Sequence, residues 1–390
     1  MIYKPFGESG LNLSTLGMGM MRLPTIGGDP KAPIDREKAE EILRYVYDHG
    51  VNYFDTAFRY HGGESELVAG EILKQFPRDS YCLATKLPGH MMHCKDGKIG
   101  FHGYLSDFHC DSVADIFEDQ LKRCQTEYFD FYLLHNVCES SVAFYTNENV
   151  GAVEYLVKQR ELGRIRHLGF SCHARYDTLD AFLTKYEGVF EFVQIQLNYL
   201  DERLQDAKKK YDVIQKHGLP VWVMEGARGG KLIHLPEKAQ SILKEVHPED
   251  STAKWAFRYL QSLPGVQVVL SGMTELSQAV ENCEIFSECS PLDEKEKDAL
   301  NRVVDSMLDL VPCTGCRYCT EECPQGLNIP GLIASYNDHK FADGPLWFNL
   351  DPEKESDQPT RCISCGACQS ICPQSIDVPA IMNELADKMK

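Results

Sequence analysis

Short apolar runs alternate with amphipathic stretches from residue 15 to about residue 275 of the chain. The amphipathic stretches carry apolar residues at helical spacing, as at Ala39, Ile42, Leu43 and Val46, so each predicts a helix with one buried face. The apolar runs predict eight strands, at residues 14–20, 52–57, 81–86, 129–135, 166–172, 192–199, 220–225 and 266–273. Strands that alternate with helices are typical of a parallel sheet.

Eight strand–helix units in roughly 260 residues match the size of a closed (β/α)8 barrel of the TIM type, which makes the fold class α/β. An open doubly wound sheet is the alternative. It is less favoured because no G-x-G-x-x-G turn opens a helix after the first predicted strand. Residues 3–13 predict a hairpin that closes the bottom of the barrel, and Asp35 and Ser112 predict helix N-caps.

The composition is that of a globular protein, with 43% hydrophobic and 25% charged residues. No apolar run is long enough to cross a bilayer and no leader pattern opens the chain, so a cytoplasmic location is expected. The formal net charge of -18 repels nucleic acid and anionic membranes. A small substrate or a soluble redox partner is favoured instead.

Half of the 16 cysteines form two tight motifs near the C-terminus, each reading C-x2-C-x2-C-x3-C-P. The motif cysteines are Cys313, Cys316, Cys319, Cys323, Cys362, Cys365, Cys368 and Cys372. This spacing is typical of 4Fe-4S clusters. Two four-thiolate zinc sites are the alternative, and they are less favoured because zinc needs neither the third cysteine nor the trailing proline.

The cysteine-rich segment resembles the two-cluster ferredoxins, in their mainly helical form. In those proteins the fourth cysteine of each motif reaches across to the other cluster. The resemblance therefore implies one cluster on Cys313, Cys316, Cys319 and Cys372, and a second on Cys362, Cys365, Cys368 and Cys323. We expect three parts: a barrel at residues 1–290, a linker helix at 291–311 and a ferredoxin-like domain at 312–390.

Four reactive side chains follow three successive strands of the predicted barrel. Asp55 closes the second strand and Tyr60 follows it, while Lys86 and His135 end the third and fourth strands. In such barrels the reactive groups gather at the C-terminal ends of the strands. Each residue alone is explained as an ordinary core residue, but the four together predict a catalytic site.

These stretches resemble the aldo-keto reductase family over residues 1 to about 285, in GVNYFDTAFRYHGGESE, the Lys86 strand, DFYLLHN, GRIRHLGFS and GMTELSQAVEN. The resemblance implies that Asp55, Tyr60, Lys86 and His135 form a catalytic tetrad. Tyr60 would donate a proton to the alkoxide that develops when a hydride attacks a carbonyl. We expect the Lys86 ammonium to lower the pKa of Tyr60, Asp55 to keep Lys86 charged, and His135 to orient the carbonyl oxygen.

The resemblance also implies a nicotinamide cofactor, NADPH or NADH. It places Ser171 and Gln194 at the carboxamide, residues 226–231 at the pyrophosphate and residues 272–282 at the adenosine end. Cys172 and Glu225 depart from the family pattern, and Arg22 and Arg228 are the candidate partners of a 2′-phosphate. The full set of expected cofactor contacts is Met20, Met21, Arg22, Asp55, Ser171, Cys172, Gln194, Glu225, Gly226, Arg228, Gly229, Gly230, Lys231, Gly272, Met273, Gln278, Glu281 and Asn282.

An insertion at residues 88–110 carries several possible metal ligands beside the expected active site. They are His90, His93, Cys94, His102, His109 and Cys110. Their spacing fits no ligand template, so the insertion is favoured as a shaper of the substrate site over a third metal site.

The predicted function is an oxidoreductase that reduces an aldehyde or ketone, or oxidises an alcohol, with NADPH or NADH. A hydride carries two electrons and each cluster passes one, so we expect the clusters to relay electrons to a soluble flavoprotein or ferredoxin. Clusters that only brace the fold or support substrate chemistry are the other possibilities. The alternative function is an electron-transfer or redox-sensing protein whose barrel binds a nucleotide without turnover.

Overall fold

The computed structural model describes residues 1–29, 32–95, 98–101, 110–307, 311, 313, 315–340, 350 and 354–389. The chain forms two compact units, one of residues 1–234 and 243–300 and the other of residues 235–242 and 301–390. Within the described ranges, no helix combines the length and apolar character needed to cross a membrane.

The first unit is built on a closed parallel barrel. The strands along the chain are β1 (Tyr3–Pro5), β2 (Asn12–Ser14), β3 (Leu16–Gly19), β4 (Tyr53–Asp55), β5 (Cys82–Leu87), β6 (Met92–Lys95), β7 (Lys98–Phe101), β8 (Phe129–Val137), β9 (Ile165–Cys172), β10 (Phe192–Gln196), β11 (Val221–Met224) and β12 (Val266–Ser271). The barrel order is β10-β11-β12-β3-β4-β5-β8-β9. Each barrel strand overlaps one predicted run, so the predicted (β/α)8 barrel is confirmed and the open sheet is wrong.

In the first unit, helices follow the barrel strands and cover the outside of the barrel, as their buried apolar faces require. The helices along the chain are α1 (Arg36–Asp48), α2 (Glu64–Leu73), α3 (Val113–Arg123), α4 (Val142–Tyr145), α5 (Ala152–Glu161), α6 (Tyr176–Lys185), α7 (Asp201–Leu204), α8 (Ala207–Lys216), α9 (Glu237–Lys244), α10 (Thr252–Gln261), α11 (Leu276–Ile285), α12 (Glu294–Met307), α13 (Tyr318–Glu321), α14 (Ile329–Lys340), α15 (Ala367–Ile371) and α16 (Val378–Lys388). The predicted N-caps are confirmed: Asp35 accepts from the backbone N–H of Lys38, and Ser112 forms a capping box with Asp115.

The predicted N-terminal hairpin closes the bottom of the barrel. Strands β1 and β2 pair antiparallel, and between them Phe6 enters the aromatic core inside the barrel. The Phe6 ring centroid lies 5.4 Å from that of Trp222 and 5.5 Å from that of Phe131. Tilted and edge-to-face rings of this kind fill the barrel interior, so the opposite, C-terminal end is left to form a cavity.

A buried ion pair fastens the start of α12 to the barrel. The Arg258 guanidinium donates to both carboxylate oxygens of Glu296, at 2.6 and 2.9 Å. Bidentate geometry makes this pair strong and specific. Helix α12 lies within the predicted linker at 291–311. The predicted domain boundary at Pro312 lies outside the described residues, as do residues 308–310.

The second unit contains an internal repeat with an offset of 49 residues, which relates the two cysteine motifs. Helix α13 corresponds to α15 and α14 to α16, so the mainly helical fold predicted for this segment is confirmed. Each motif turns through left-handed backbone positions, for example Arg317 (φ 67°) in the first and Gly366 (φ 77°) in the second. Leu332 and Met382 meet in a small apolar core behind the motifs.

We expect Phe6→Ala to lower the free energy of unfolding of the barrel by about 3–5 kcal/mol, because it leaves a cavity among packed aromatic rings. Chemical denaturation followed by circular dichroism measures this. The matched control is Leu162→Ala, whose side chain is 61% exposed and whose loss should cost less than about 0.5 kcal/mol. Equal effects of the two substitutions would contradict a structural role for the hairpin.

Candidate active site and cysteine sites

Lys86 is the buried centre of the candidate active site. Its side chain is fully buried at the end of β5, and its Nζ donates to Asp55 Oδ1 at 2.5 Å and to the Thr56 carbonyl at 2.7 Å. Burial alone lowers the pKa of Lys86, but the neighbouring Asp55 carboxylate and Tyr60 oxygen raise it above its ordinary value. Lys86 is therefore an ammonium at neutral pH, as expected.

Tyr60 covers this ion pair on the cavity side. The Lys86 Nζ lies 4.9 Å from the centroid of the Tyr60 ring, and the Tyr60 and His135 rings meet edge to face with centroids 5.8 Å apart. Lys86 lowers the pKa of Tyr60, as expected, but the net shift is upward. Burial raises the pKa of Tyr60, and the opposing effect of Lys86 offsets only part of that rise. The phenol is therefore held protonated, as a hydrogen-bond donor.

His135 is a neutral imidazole beside Tyr60. Burial, followed by the fields of His90 and Lys86, lowers the pKa of His135 well below its ordinary value. A neutral imidazole next to an ammonium provides one N–H donor without adding a second positive charge. Both rings thus offer neutral donors to an oxygen atom bound between them.

A buried hydrogen-bond network behind β5 holds the backbone of Lys86 in place. Gln120 Nε2 donates to the Lys86 carbonyl at 3.0 Å and to Glu66 Oε1 at 2.7 Å. Glu66 also accepts from Arg123 Nε at 2.9 Å and from Thr85 Oγ1 at 2.6 Å. Sequence reasoning missed this network, although Glu66 lies in the quoted GGESE stretch, because its partners come from distant parts of the chain.

A cavity of about 470 Å³ opens above these residues at the C-terminal ends of the strands. Of the residues singled out in the sequence it is lined by Met21, Arg22, Asp55, Tyr60, His135, Ser171, Gln194, Glu225 and Gly272. His90 and Met91, which also line it, belong to the insertion that the sequence predicted beside this site. The lining residues that sequence reasoning did not assign to this site are Gly19, Arg59, Asn136, His173, Gln196, Met224 and Leu270.

The structure does not bring the other expected cofactor contacts to this cavity. Met20, Cys172 and Met273 are buried in the hydrophobic core. Arg228 is also buried, with its Nε on Asp201 Oδ1 at 3.0 Å, which leaves Arg22 as the more accessible of the two candidate cations for a 2′-phosphate. The remaining expected contacts outside the cavity lining are Gly226, Gly229, Gly230, Lys231, Gln278, Glu281 and Asn282.

Three polar side chains from adjacent strands form an amide-binding corner of the cavity. Gln194 pairs in register with Ser171, and the Asn136 backbone N–H donates to Ser171 Oγ at 2.7 Å. The Gln194 Oε1 and Asn136 Oδ1 atoms are buried and accept no hydrogen bond from any described residue. Two buried acceptors beside a hydroxyl complement the N–H₂ and C=O of a primary carboxamide, so these residues fit a nicotinamide.

Asn136 reaches this corner through an irregularity of β8. The register between β8 and β9 shifts between Leu134 and Val137, and Asn136 adopts a left-handed φ of 56°. A bulge of this kind redirects a side chain next to an active site. Adjacency to His135 was the only sequence signal for Asn136.

Each of two small cavities in the second unit is lined by four cysteines. One is lined by Cys313, Cys316, Cys319 and Cys372, the other by Cys323, Cys362, Cys365 and Cys368. These are the two crossed sets that the sequence predicted. Four thiols in an apolar cavity fit an iron–sulfur cluster, and Val378 lines both cavities.

No three His, Cys, Asp or Glu side chains in the described parts of the chain are grouped so as to hold a single metal ion. The described parts include His90, His93, Cys94 and Cys110 of the insertion. His102 and His109 lie outside the described residues.

A (β/α)8 barrel whose cavity is lined by a phenol and an imidazole over a buried ammonium, next to an amide-binding corner, indicates the class of nicotinamide-dependent oxidoreductases. Residues 15–305 match the model of the aldo/keto reductase family, and this chain belongs to that family. Residues 312–376 match the 4Fe-4S dicluster domain. The protein is therefore an NAD(P)H-dependent oxidoreductase with an iron–sulfur domain at its C-terminal side.

Relatives agree with this assignment over the barrel. The chain is 25% identical to L-galactose dehydrogenase of Arabidopsis thaliana over 313 residues, which cover 74% of this chain and 89% of that protein. It is 33% identical to probable aldo-keto reductase 1 of Glycine max over 174 residues, which span only 45% of that relative and 44% of this chain. The holo form of aldo-keto reductase AKR11C1 from Bacillus halodurans has a TM-score of 0.61 and 26% identity, covering 78% of this chain and 96% of that one.

We expect Asp55→Asn and Lys86→Met each to lower the free energy of unfolding by about 3–5 kcal/mol, because each leaves an unpaired charge in the core. The double variant removes both charges and should cost clearly less than the sum. A double-mutant cycle by urea denaturation measures this coupling. Additive costs would mean that the two charges do not interact.

Proposed function

We propose that this protein reduces a small aldehyde or ketone with NADPH or NADH, or runs the reverse oxidation, and passes electrons through two 4Fe-4S clusters. The observation that carries the proposal is the position of Tyr60 and His135, which face one cavity directly above the Lys86–Asp55 pair. The family, whose members suggest small carbonyl substrates, supports the same conclusion.

Tyr60 is the proposed general acid. A bound nicotinamide supplies the hydride, and the carbonyl oxygen gains negative charge as the hydride arrives. Tyr60 Oη–H and the His135 N–H donate hydrogen bonds to that oxygen, and Tyr60 then gives up its proton. The Lys86 ammonium stabilises the phenolate that remains, and Asp55 keeps Lys86 charged inside the core.

The amide-binding corner would orient the nicotinamide. Gln194 and Asn136 would accept hydrogen bonds from its carboxamide and Ser171 would donate one. For the rest of the nucleotide we propose the loop at residues 226–231 and the stretch at 272–282. Arg22, which lines the cavity and is half exposed, is the proposed partner of a 2′-phosphate. NADPH and NADH both remain in the proposal.

The two cysteine sets would hold one cluster each, with Val378 between them. Cys316 and Cys365 are exposed, one in each set, so each cluster would present an edge to solvent. A soluble flavoprotein or ferredoxin that approaches these edges could exchange single electrons with the clusters. Within this proposal, residues 1–290 form the reductase barrel, 291–311 the linker helix and 312–390 the cluster domain.

We expect Tyr60→Phe to lower kcat/KM for carbonyl reduction at least about a hundredfold, because it removes the proton donor and one hydrogen bond to the developing alkoxide. Nucleotide affinity should change little, since the ring remains. Steady-state kinetics on a panel of aldehydes and fluorescence titration with NADPH and NADH measure both. Tyr47→Phe, which removes a hydroxyl on α1 outside the cavity, is the matched control.

The pH profile gives a second check of the same residue. Reduction needs the protonated phenol, and burial raises the pKa of Tyr60 above its ordinary value of 10.0, so activity should not fall on the alkaline side until above that pH.

Full activity of Tyr60→Phe would reject the assigned acid. Cluster reduction by NADPH or NADH without turnover of any carbonyl would favour a protein that only transfers or senses electrons.

The crossed cluster ligation predicts which cysteine substitutions share an effect. Cys316→Ser and Cys372→Ser should disturb the same EPR signal of the dithionite-reduced protein, and Cys323→Ser and Cys365→Ser the other. Each should lower the iron content from roughly eight to roughly four atoms per chain. Cys289→Ser, an exposed cysteine outside the motifs, should change neither. Zinc in place of iron after anaerobic purification would contradict the assignment.

A further inference from the structure

His90 is a polar residue of the cavity that the proposed mechanism does not use. It lies on the insertion at residues 88–110, and its ring meets the His135 ring at a centroid distance of 4.6 Å and an angle of 71°. Its Nδ1 lies 3.1 Å from the backbone carbonyl oxygen of His135. The insertion thus places a second imidazole directly beside the one that faces the substrate.

Packing fixes this position of His90. Gly89 lies so close to Tyr145 that a Cβ atom there would be 2.4 Å from the Tyr145 ring, so only glycine fits. Tyr145 in turn donates to the same His135 carbonyl at 2.6 Å and to the Leu87 carbonyl at 3.1 Å. The His135 carbonyl therefore binds both His90 and Tyr145. This hydrogen bond and the packing of Gly89 against Tyr145 hold His90 in place.

The His135 carbonyl determines which nitrogen of His90 carries the proton. A carbonyl oxygen only accepts hydrogen bonds, so Nδ1 is the N–H and Nε2 is the unprotonated nitrogen. Burial lowers the pKa of His90 to about 4, and the bond to His135 offsets only part of this, so the ring is neutral at physiological pH. Nε2 makes no hydrogen bond with any residue that the structure describes, and His90 lines the cavity.

His90 Nε2 is therefore an acceptor, whereas Tyr60 and His135 are donors. A simple aldehyde has only an acceptor oxygen and leaves His90 Nε2 to water. A substrate that carries a hydroxyl group beside its carbonyl satisfies both kinds of partner, because the carbonyl accepts from Tyr60 and His135 while the hydroxyl donates to His90.

We propose that the preferred substrates are carbonyl compounds with a hydroxyl group on the carbon next to the carbonyl, recognised by His90 Nε2. This inference rests on the proposed carbonyl reduction and makes His90 a specificity residue of that reaction. Other polar groups of the same cavity, Gln196 and His173, are consistent with a hydroxylated substrate.

The test compares 2-hydroxypropanal with 2-methylpropanal, which replaces the hydroxyl by a methyl group of similar size. Wild-type protein should show a kcat/KM about 10- to 100-fold higher for 2-hydroxypropanal, as expected for one buried hydrogen bond. His90→Phe should abolish this preference, which is measured as the ratio of the two kcat/KM values so that any change in the overall rate cancels.

Tyr145→Phe is the matched control, because it also removes a donor from the His135 carbonyl but leaves the acceptor of His90 in the cavity. It should retain the preference for 2-hydroxypropanal, whatever it does to the overall rate. Turnover of both aldehydes without a preference, or a preference that survives His90→Phe, overturns this inference and leaves the proposed function standing. An equal loss of preference in Tyr145→Phe overturns it too. Turnover of neither aldehyde rejects the proposed function and this inference with it.

Discussion

The buried ion pair between Lys86 and Asp55 is the interaction on which the candidate active site depends. An ammonium without a counter-charge inside a barrel would lose its proton or unfold the site, because desolvating a single charge costs several kcal/mol. The two residues lie on neighbouring strands β5 and β4, which pair in register, so the sheet itself sets their separation. Tyr60 and His135 then only need to lie above this pair to be held as neutral donors beside a fixed positive charge.

Backbone carbonyl groups position several of the other side chains of the site by accepting hydrogen bonds from them. The carbonyl of Lys86 accepts from Gln120, and the carbonyl of His135 accepts from both Tyr145 and His90. Because the strand ends of a barrel converge on one face, each such carbonyl is a rigid anchor for a side chain from elsewhere in the chain. The insertion after β5 uses one of these anchors to bring a new side chain to the cavity without altering the tetrad.

In the second unit, too, each site is completed by a side chain from a distant part of the chain. Two copies of one motif face each other, and each copy contributes its last cysteine to the cavity of the other. A segment this small has a limited apolar core of its own, so crossed ligands would tie the two halves together through the bound clusters. Val378, at the start of α16, is the side chain common to both cavities, which places the two sites next to one another.

The sequence by itself determined the barrel and the two cysteine motifs, because strand and helix periodicity and the spacing of cysteines are local properties of the chain. It also predicted Asp55, Tyr60, Lys86 and His135 as a candidate site, from their places at strand ends and from the family resemblance. The tertiary structure alone decided the roles of Asn136, Glu66 and His90. Asn136 depends on a register shift between β8 and β9, and the proton position of His90 depends on a carbonyl 45 residues away. The raised pKa of Tyr60 has the same origin: the balance between burial and the field of Lys86 exists only once the barrel has closed around both.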